Sequence, residues 1–406
     1  MKDFPRTTQM YLKRILHVLS KKPPPLLRGL RTNSRLPRCL IVIASLGVLF
    51  AMTAEPLRSA NRSTLPAGAS PLQWEPPPGF PTPVYSFASN PLSKEGFEFG
   101  RRLFYEGRLS KDGKFPCSSC HQQFAAFATY AHDLSHGFND QFTMRNTPGL
   151  ANLVWSPSFH WDGGINHLEV QPLAPLTAPN EMAESLANVL FKLNQDPEYQ
   201  RMNAAAFGTP EITSQSMLKA LAQFMGMMVS ANSRYDQMKR GDIDFTPEEQ
   251  HGYEIFRDRC ATCHPEPLFT DHSFRYTGMG VTSRDSDLGR QRITNDRSDT
   301  YKFKVPSLRN VELTSPYAHN GRFQTLSSVL DHYRFRIGND PLVDQVLTGG
   351  IPLEEAQKRD IITFLRALTD RDFVTNENFR DPAYSTRCRS APSGCNSEPH
   401  RLGLHR

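Results

Sequence analysis

Cys117-Ser118-Ser119-Cys120-His121 is followed further along the chain by the same pattern, Cys260-Ala261-Thr262-Cys263-His264. Two thiols at this spacing form thioether bonds with the two vinyl groups of a haem, and the adjacent histidine lies under the iron as proximal ligand. A thioredoxin-like redox pair or half of a zinc site uses similar cysteine spacing, but neither explains a histidine directly after both motifs. The motifs therefore predict two covalently attached c-type haems. Their attachment residues are Cys117, Cys120, Cys260 and Cys263, and their proximal ligands are His121 and His264.

A capped helix is predicted before each motif. Ser93 is typical of an N-cap, and the apolar spacing that follows it predicts a helix ending near Gly107. Thr246-Pro247-Glu248-Glu249 is a capping box with proline at the first helical position, and its helix leads into the second motif. Further helices are predicted at 181–194, 214–232, 325–336 and 353–369. This weak internal repeat predicts a mainly α fold of two cytochrome c-like domains with long loops.

The composition divides the chain into five regions. Residues 1–54 form a signal peptide or an N-terminal anchor, 55–90 a Pro-rich linker or arm, and 376–406 a polar tail. Residues 91–240 form an N-terminal cytochrome c-like domain and residues 241–375 a C-terminal one.

The basic residues before position 40 followed by the apolar run 39–54 indicate export, whether this segment is cleaved or stays as an anchor. Much of the formal charge of +6 lies there, and no basic stripe interleaved with aromatics follows, so no nucleic-acid partner is expected. We expect a periplasmic protein. Because that compartment is oxidising, Cys388 and Cys395 in the tail can form a disulfide there; two free thiols are the alternative.

From Asn90 to Thr369 the sequence resembles the bacterial dihaem cytochrome c peroxidase family, including its MauG-type branch. Segments besides the haem motifs carry this resemblance. They are Arg145-Asn146-Thr147-Pro148, Trp161-Asp162-Gly163-Gly164, Phe303-Lys304-Val305-Pro306-Ser307-Leu308-Arg309-Asn310 and Tyr317-Ala318-His319-Asn320-Gly321. The resemblance implies that the N-terminal haem reacts with hydrogen peroxide and that the C-terminal haem relays electrons.

The resemblance also implies roles for residues between the motifs. Trp161 matches the tryptophan that lies between the two haems, although a buried core aromatic is the commoner fate of tryptophan. Glu181 matches the catalytic glutamate, which moves a proton between the two oxygens of peroxide; a favourable charge at a helix N-terminus is its plainer interpretation. Gln171 matches a glutamine of the peroxide pocket, and Pro175 another position on that face.

The sequence offers more than one candidate for the sixth ligand of each iron. His136 matches the histidine that ligates the N-terminal haem in resting cytochrome c peroxidases, with His132 and a plain exposed loop as alternatives. At the second haem, Tyr333 stands where those peroxidases place methionine, and it matches the tyrosine ligand of the MauG-type branch. His332 and Met279 are competing ligands.

Family members also hold a calcium ion between the domains. The matching positions are the Asn146 side chain with the carbonyl oxygens of Thr314 and Pro316, an oxygen-only set that suits calcium. A plain turn is the alternative.

Three functions are open at this point. The first is a MauG-type oxidase that passes oxidising equivalents to a protein substrate. The second is a cytochrome c peroxidase that detoxifies hydrogen peroxide with a small cytochrome or cupredoxin as donor. The third is a non-enzymatic dihaem electron carrier, against which Gln171 and Glu181 count, because a carrier needs no proton-handling group.

Overall fold

The computed structural model describes residues 64–280, 286–337 and 340–383. The predicted signal or anchor segment 1–54 and the pair Cys388 and Cys395 lie outside these ranges. Across these ranges, no helix combines the length and the apolar character that a membrane crossing requires.

The described chain is mainly helical, and the predicted fold class is confirmed. Its α-helices are α1 Lys94–Phe104, α2 Cys117–Cys120, α3 Leu173–Thr177, α4 Leu186–Asn194, α5 Pro197–Phe207, α6 Ser214–Gly226, α7 Arg234–Arg240, α8 Pro247–Arg259, α9 Gln291–Thr294, α10 Leu326–Phe335, α11 Glu355–Arg366 and α12 Arg371–Thr375. Two short antiparallel strands, β1 Phe274–Arg275 and β2 Phe303–Lys304, pair Phe274 with Lys304. Short 3-10 turns lie at Phe87–Ser89, Gly107–Leu109, Gln123–Ala125, Phe138–Asp140, Leu153–Trp155, Arg297–Asp299, Val311–Leu313, Gln345–Leu347 and Glu377–Phe379.

The helix before the first motif, α1, begins as predicted. The Ser93 hydroxyl accepts a hydrogen bond from the Gly96 amide at 3.0 Å, which caps the helix. The helix packs against α6, and a Cβ at Gly100 would lie 1.9 Å from the Ala220 carbonyl oxygen. Only glycine permits this close crossing, which places the aromatic side of α1 in the N-terminal core.

The helix before the second motif, α8, is built in the same way. Thr246 caps it through the predicted capping box with Glu249. It packs against α11, where a Cβ at Gly252 would lie 2.0 Å from the Asp360 carbonyl oxygen. A capped helix that crosses a later helix through a glycine thus precedes each motif, which is the structural form of the internal repeat.

Residues from both ends of the described chain pack on the N-terminal core. The Trp155 indole donates to the Pro81 carbonyl at 2.7 Å, which fixes the Pro-rich arm. Phe373 and Phe379 lie 5.7 and 6.2 Å, between ring centroids, from Phe127. The segment at Phe379, which the composition assigned to the tail, is therefore part of this core.

Four predicted helix boundaries need correction. The helix predicted at 181–194 begins only at Leu186, because Ala183 has a positive φ of 55° and Ser185 caps the first turn. The helix predicted to end near Gly107 ends at Phe104. The helices predicted at 214–232 and 353–369 end at Gly226 and Arg366.

Candidate active site

The first motif forms one helical turn that ends at His121. The Nδ1 atom of His121 lies 2.6 Å from the carbonyl oxygen of Phe127, a buried residue with a positive φ of 60°. Burial lowers the pKa of His121 to about 4, so the imidazole is neutral and Nδ1 carries the proton. Its Nε2 lone pair is then the one available to a haem iron.

The second motif repeats this construction. The Nδ1 atom of His264 lies 2.9 Å from the carbonyl oxygen of Phe269, which also has a positive φ, of 55°. Burial lowers the pKa of His264, which again leaves a neutral ring with Nε2 as the free ligand atom. The four motif cysteines carry unpaired thiols, as thioether formation requires.

Both histidines line one continuous cavity of about 700 Å³. The cavity also receives most of the predicted site residues. They are Asn146, Trp161, Gln171, Pro175, Glu181, Met279, Thr314, Pro316, His332 and Tyr333. Residues far apart in the sequence therefore converge on the space that the two motifs enclose.

Trp161 is held rigidly at this cavity. Its indole Nε1 donates to the Asn146 carbonyl at 2.8 Å, and its own carbonyl accepts from the Lys304 amide at 2.8 Å. The next residue, Asp162, bonds Arg145 at 2.6 Å. A Cβ at Gly163, whose φ is +66°, would lie 2.3 Å from the Phe274 ring, so the loop requires glycine there. The tryptophan is therefore held by bonds to two segments that are far apart in the sequence, at Asn146 and at Lys304.

Glu181 lies in the turn before α4 and not on the helix. Its amide bonds the Ala178 carbonyl and its carbonyl accepts from Phe138, so the backbone is fixed while the carboxyl borders the cavity. Burial raises the pKa of Glu181. A carboxyl that holds its proton more tightly than usual suits general acid and base chemistry. Gln171 and Pro175 border the same cavity.

Tyr333 lies on α10 and reaches the second motif. Burial raises the pKa of Tyr333 to about 12, with smaller contributions from the nearby Cys263 and Cys260. The two competing residues also border the cavity. The Nε2 atom of His332 is already bonded to the Thr277 carbonyl at 2.8 Å, which leaves it less suited to ligation than Tyr333.

His136 and His132 are exposed, and their ring centroids lie 5.3 Å apart. The carbonyl oxygen of His136 lies 4.0 Å from the Cys120 sulfur, so the residue is close to the first motif. Neither imidazole is among the residues that line the cavity. Ligation by His136 therefore remains a prediction.

The three predicted calcium ligands all border the cavity, and calcium binding there stays a prediction. The Asn146 amide bonds the His319 carbonyl at 2.8 Å, and its side-chain nitrogen donates to the Asp133 carbonyl at 3.1 Å. Thr314 and Pro316 border the same space. The main chain of Asn146 therefore joins Trp161 to the segment at His319.

Three basic residues at the cavity were missed in the sequence analysis. His160 and His272 both have buried ring nitrogens that make no hydrogen bond within the described chain: Nε2 of His160 and both nitrogens of His272. Lys304 is buried beside them. Unpartnered buried ring nitrogens point to a hydrogen-bonding group that the protein atoms alone do not supply, and a haem propionate can accept a hydrogen bond from an imidazole N–H. The cavity therefore fits haem. The available signal was the run 303–306, in which Lys304 stands among phenylalanine, valine and proline.

Comparison with known proteins gives a consistent result. The family model for di-haem cytochrome c peroxidases matches residues 94–244. The methylamine utilization protein MauG of Methylorubrum extorquens is 33% identical over 69% of this chain and 80% of its own length. The cytochrome c551 peroxidase of Nitrosomonas europaea is 30% identical over 70% of this chain and 82% of its own.

Among solved structures, one similar protein is described as a MauG-like protein associated with microbial copper homeostasis. It is 32% identical, with a TM-score of 0.71, and the match covers 77% of this chain and 99% of that one. The diheme peroxidase BthA of Burkholderia thailandensis shares the fold at 22% identity and a TM-score of 0.62, over 77% of this chain and 96% of its own.

Proposed function

The chain belongs to the dihaem cytochrome c peroxidase and MauG family, and from that premise we propose that it is an exported, MauG-type peroxidase. It is a dihaem peroxidase-type oxidoreductase with two c-type haems. We propose that hydrogen peroxide is reduced at the N-terminal site. The oxidising equivalents then reach a protein substrate or a redox partner by way of the second site.

Different residues attach the two haems covalently and bind their irons. The four motif cysteines attach them, and Nε2 of His121 and of His264 binds iron. The bound haem supplies the redox chemistry of peroxide reduction. The Phe127 and Phe269 carbonyls fix each imidazole in the tautomer that this ligation needs.

Glu181 is the proposed acid and base group at the N-terminal site. Peroxide cleavage requires a proton to leave the near oxygen and reach the far one. A buried carboxyl of raised pKa takes and returns that proton, while Gln171 orients the peroxide by hydrogen bonding. This proton-handling pair argues against the non-enzymatic carrier.

Trp161 is the proposed relay between the two sites. It borders the cavity that contains both proximal histidines, and hydrogen bonds from both domains hold it. A rigid aromatic ring in this position shortens the distance that electrons cross between the two cofactors.

The observation that carries the MauG-type assignment is Tyr333 beside the second motif. An anionic phenolate ligand stabilises the higher oxidation states of iron, whereas thioether ligation raises the haem potential. The second site is then suited to holding an oxidising equivalent. Met279 also borders the cavity, and this favours the alternative of a cytochrome c peroxidase with a small cytochrome or cupredoxin donor.

Rapid mixing of the diferric protein with hydrogen peroxide distinguishes the MauG-type peroxidase from a cytochrome c peroxidase with a small donor protein. The MauG-type proposal expects both haem spectra to change without prior reduction, and slow turnover with reduced cytochrome c. Reaction only after partial reduction, with fast cytochrome c oxidation, would support the alternative. Absence of peroxide consumption under both conditions would leave only the carrier.

We also propose a structural calcium ion held by Asn146, Thr314 and Pro316, because oxygen ligands there join the two domains. Metal analysis of the purified protein before and after chelation tests it. One calcium per chain, whose removal alters the communication between the haems, is the expected result. A calcium-free protein with unaltered spectra contradicts it.

A periplasmic location follows from the basic and apolar N-terminal sequence together with the need for haem attachment after export. The similar copper-associated protein suggests where the substrate should be sought. We propose that the protein substrate belongs to copper handling. A deletion strain should grow differently from its parent when copper is scarce or in excess, and identical growth and copper content would contradict this.

A further inference from the structure

Lys304 borders the cavity, and its ammonium group is largely shielded from solvent. It lies on β2, where its amide bonds the Trp161 carbonyl at 2.8 Å. Its ammonium group donates to the Ser158 carbonyl, and to the Ser156 hydroxyl at 3.4 Å. Burial lowers the pKa of Lys304 to about 8. These partners are neutral, so they solvate the ammonium group but do not neutralise it.

The acidic groups nearby are already engaged. The negative charge of Asp162 raises the pKa of Lys304, against the larger effect of burial. Asp162 is nevertheless paired with another residue, because the Arg145 guanidinium lies 2.6 Å from its carboxylate and 2.5 Å from that of Asp287. Within the described ranges, no carboxylate lies within ion-pair distance of the Lys304 ammonium. A buried charge without a partner is strongly unfavourable, so this position calls for an anion from outside the polypeptide.

Two histidines that border the same cavity lie near Lys304. Burial lowers the pKa of both His160 and His272, and the charge of Lys304 lowers it further. His160 in turn acts on His121, the proximal ligand of the first haem. His272 follows the second motif in the loop that leads to β1, and its two ring nitrogens are buried without a partner. Lys304 thus has one neighbour that is close to the first proximal histidine and one that follows the second motif, and its main chain is bonded to Trp161.

A haem attached through its vinyl groups keeps two free propionate carboxylates. We propose that Lys304 is a shared cation that binds one propionate from each haem beside Trp161, with His160 and His272 as further donors to the first and second haem. This inference rests on the two haems of the family and on neither version of the peroxidase reaction.

The arrangement has an electrical consequence for both sites. A cation close to a propionate stabilises the reduced, less positive iron, and a cation shared by two haems does so for both. Removing the charge should therefore lower both midpoint potentials together. A lysine that merely supported the loop would alter neither of them in this concerted way.

The test is a potentiometric titration of the holoprotein in three variants. At a fixed potential, Lys304→Gln should lower the reduced-to-oxidised ratio of each haem about tenfold. For a one-electron couple this corresponds to a midpoint potential lower by about 59 mV. Lys304→Arg keeps the charge and should stay near the wild type. Lys302→Gln is the matched control, because Lys302 pairs with Asp299 at 3.2 Å and is absent from the cavity wall.

The inference is overturned if Lys304→Gln, with both haems attached, shifts one potential only or neither. His272→Gln distinguishes the two haems, because it should shift the midpoint potential of the second haem alone. If Lys304→Gln fails to mature, resonance Raman spectra of Lys304→Arg decide the matter. The changed donor geometry should move the propionate bands of both haems, and bands identical to those of the wild type would refute the shared contact.

Discussion

The indole nitrogen of Trp161 donates to the main-chain carbonyl of Asn146 across 2.8 Å, so the side chain proposed to connect the haems is bonded to the residue proposed to bind calcium. The Asn146 amide in turn bonds the His319 carbonyl of the C-terminal domain. The orientation of the tryptophan therefore depends on the contact between the segments at Asn146 and His319.

Trp161→Phe should uncouple the two sites while leaving the first one reactive. The change removes the hydrogen bond and part of the ring, so the spectral response of the second haem to peroxide should slow by about tenfold or more. Stopped-flow absorbance at wavelengths for each haem measures it. Trp155→Phe is the control, because the Trp155 indole also donates to a carbonyl, that of Pro81, but in the N-terminal core. Equal behaviour of the two variants would refute the relay role.

Glu181→Gln should slow peroxide cleavage by about 100-fold or more, because an amide cannot take up and return the proton. The bimolecular rate constant with the diferric protein is the measurement. Glu184→Gln provides the control, since Glu184 is bonded to Lys192 at 2.7 Å away from the cavity. An unchanged rate in Glu181→Gln would assign the proton transfer to another group.

The same two glutamates should show opposite effects of pH on stability. Burial raises the pKa of Glu181, so the folded state holds that proton more tightly and loses stability as pH rises through the folded pKa. Glu181→Gln should therefore be more stable than the wild type above that pKa and equal to it below pH 4. Denaturant titrations across pH 3–8 measure the difference.

For Glu184 the sign reverses. Burial alone would raise the pKa of Glu184, but hydrogen bonds from Lys192, the Ser185 amide and Asn188 outweigh it and lower the pKa. Its stabilising contribution is present above the unfolded pKa and is lost as pH falls through the folded one. Glu184→Gln should thus be less stable than the wild type near neutral pH. The same sign for both variants would contradict the assigned environments.

Local sequence signals predicted the parts of the fold that depend on neighbouring residues. Ser93 and Thr246 cap the helices expected of them, and each motif folds as one turn with its histidine at the end. Such features need only a few consecutive residues. The resemblance to a known family, and not any periodicity, brought Trp161, Glu181 and Tyr333 into the candidate site.

The features that the sequence did not predict, a helix end and the surroundings of a buried lysine, depend on contacts between residues far apart in the chain. The helix predicted at 214–232 ends early because the amides of Ala231 and Asn232 and the hydroxyl of Ser230 all bond one carboxylate of Asp370, far along the chain. The basic residues at the cavity were missed for the same reason. Nothing near Lys304 in sequence reveals that Ser156 and Ser158 will surround its ammonium group.

Arg145→Met should destabilise the protein by about 3–5 kcal/mol, because it removes the cation that bonds the poorly exposed carboxylates of Asp162 and Asp287. Chemical denaturation of the holoprotein measures the loss. Arg240→Met is the control, since the exposed pair of Arg240 with Asp242 should contribute about 1 kcal/mol or less. Comparable losses in both variants would show that the Arg145 network is no more than a surface ion pair.

Tyr333→Phe should convert the second haem to a site without a sixth protein ligand. The pKa of Tyr333 is raised to about 12, first by burial and then by Cys263 and Cys260, so the free phenol is neutral near pH 7 and must release a proton to bind ferric iron. Removing the hydroxyl should abolish the tyrosinate signature in the EPR and visible spectra of the diferric protein and leave the first haem unchanged.

Two variants serve as controls for this prediction. His332→Gln removes a ring whose Nε2 is bonded to the Thr277 carbonyl, and Met279→Leu removes the competing thioether. Both should keep the wild-type spectrum of the second haem. Loss of the low-spin signal in either variant, with its retention in Tyr333→Phe, would reassign the ligand and with it the MauG-type proposal, because a thioether or imidazole would then set the potential of that haem.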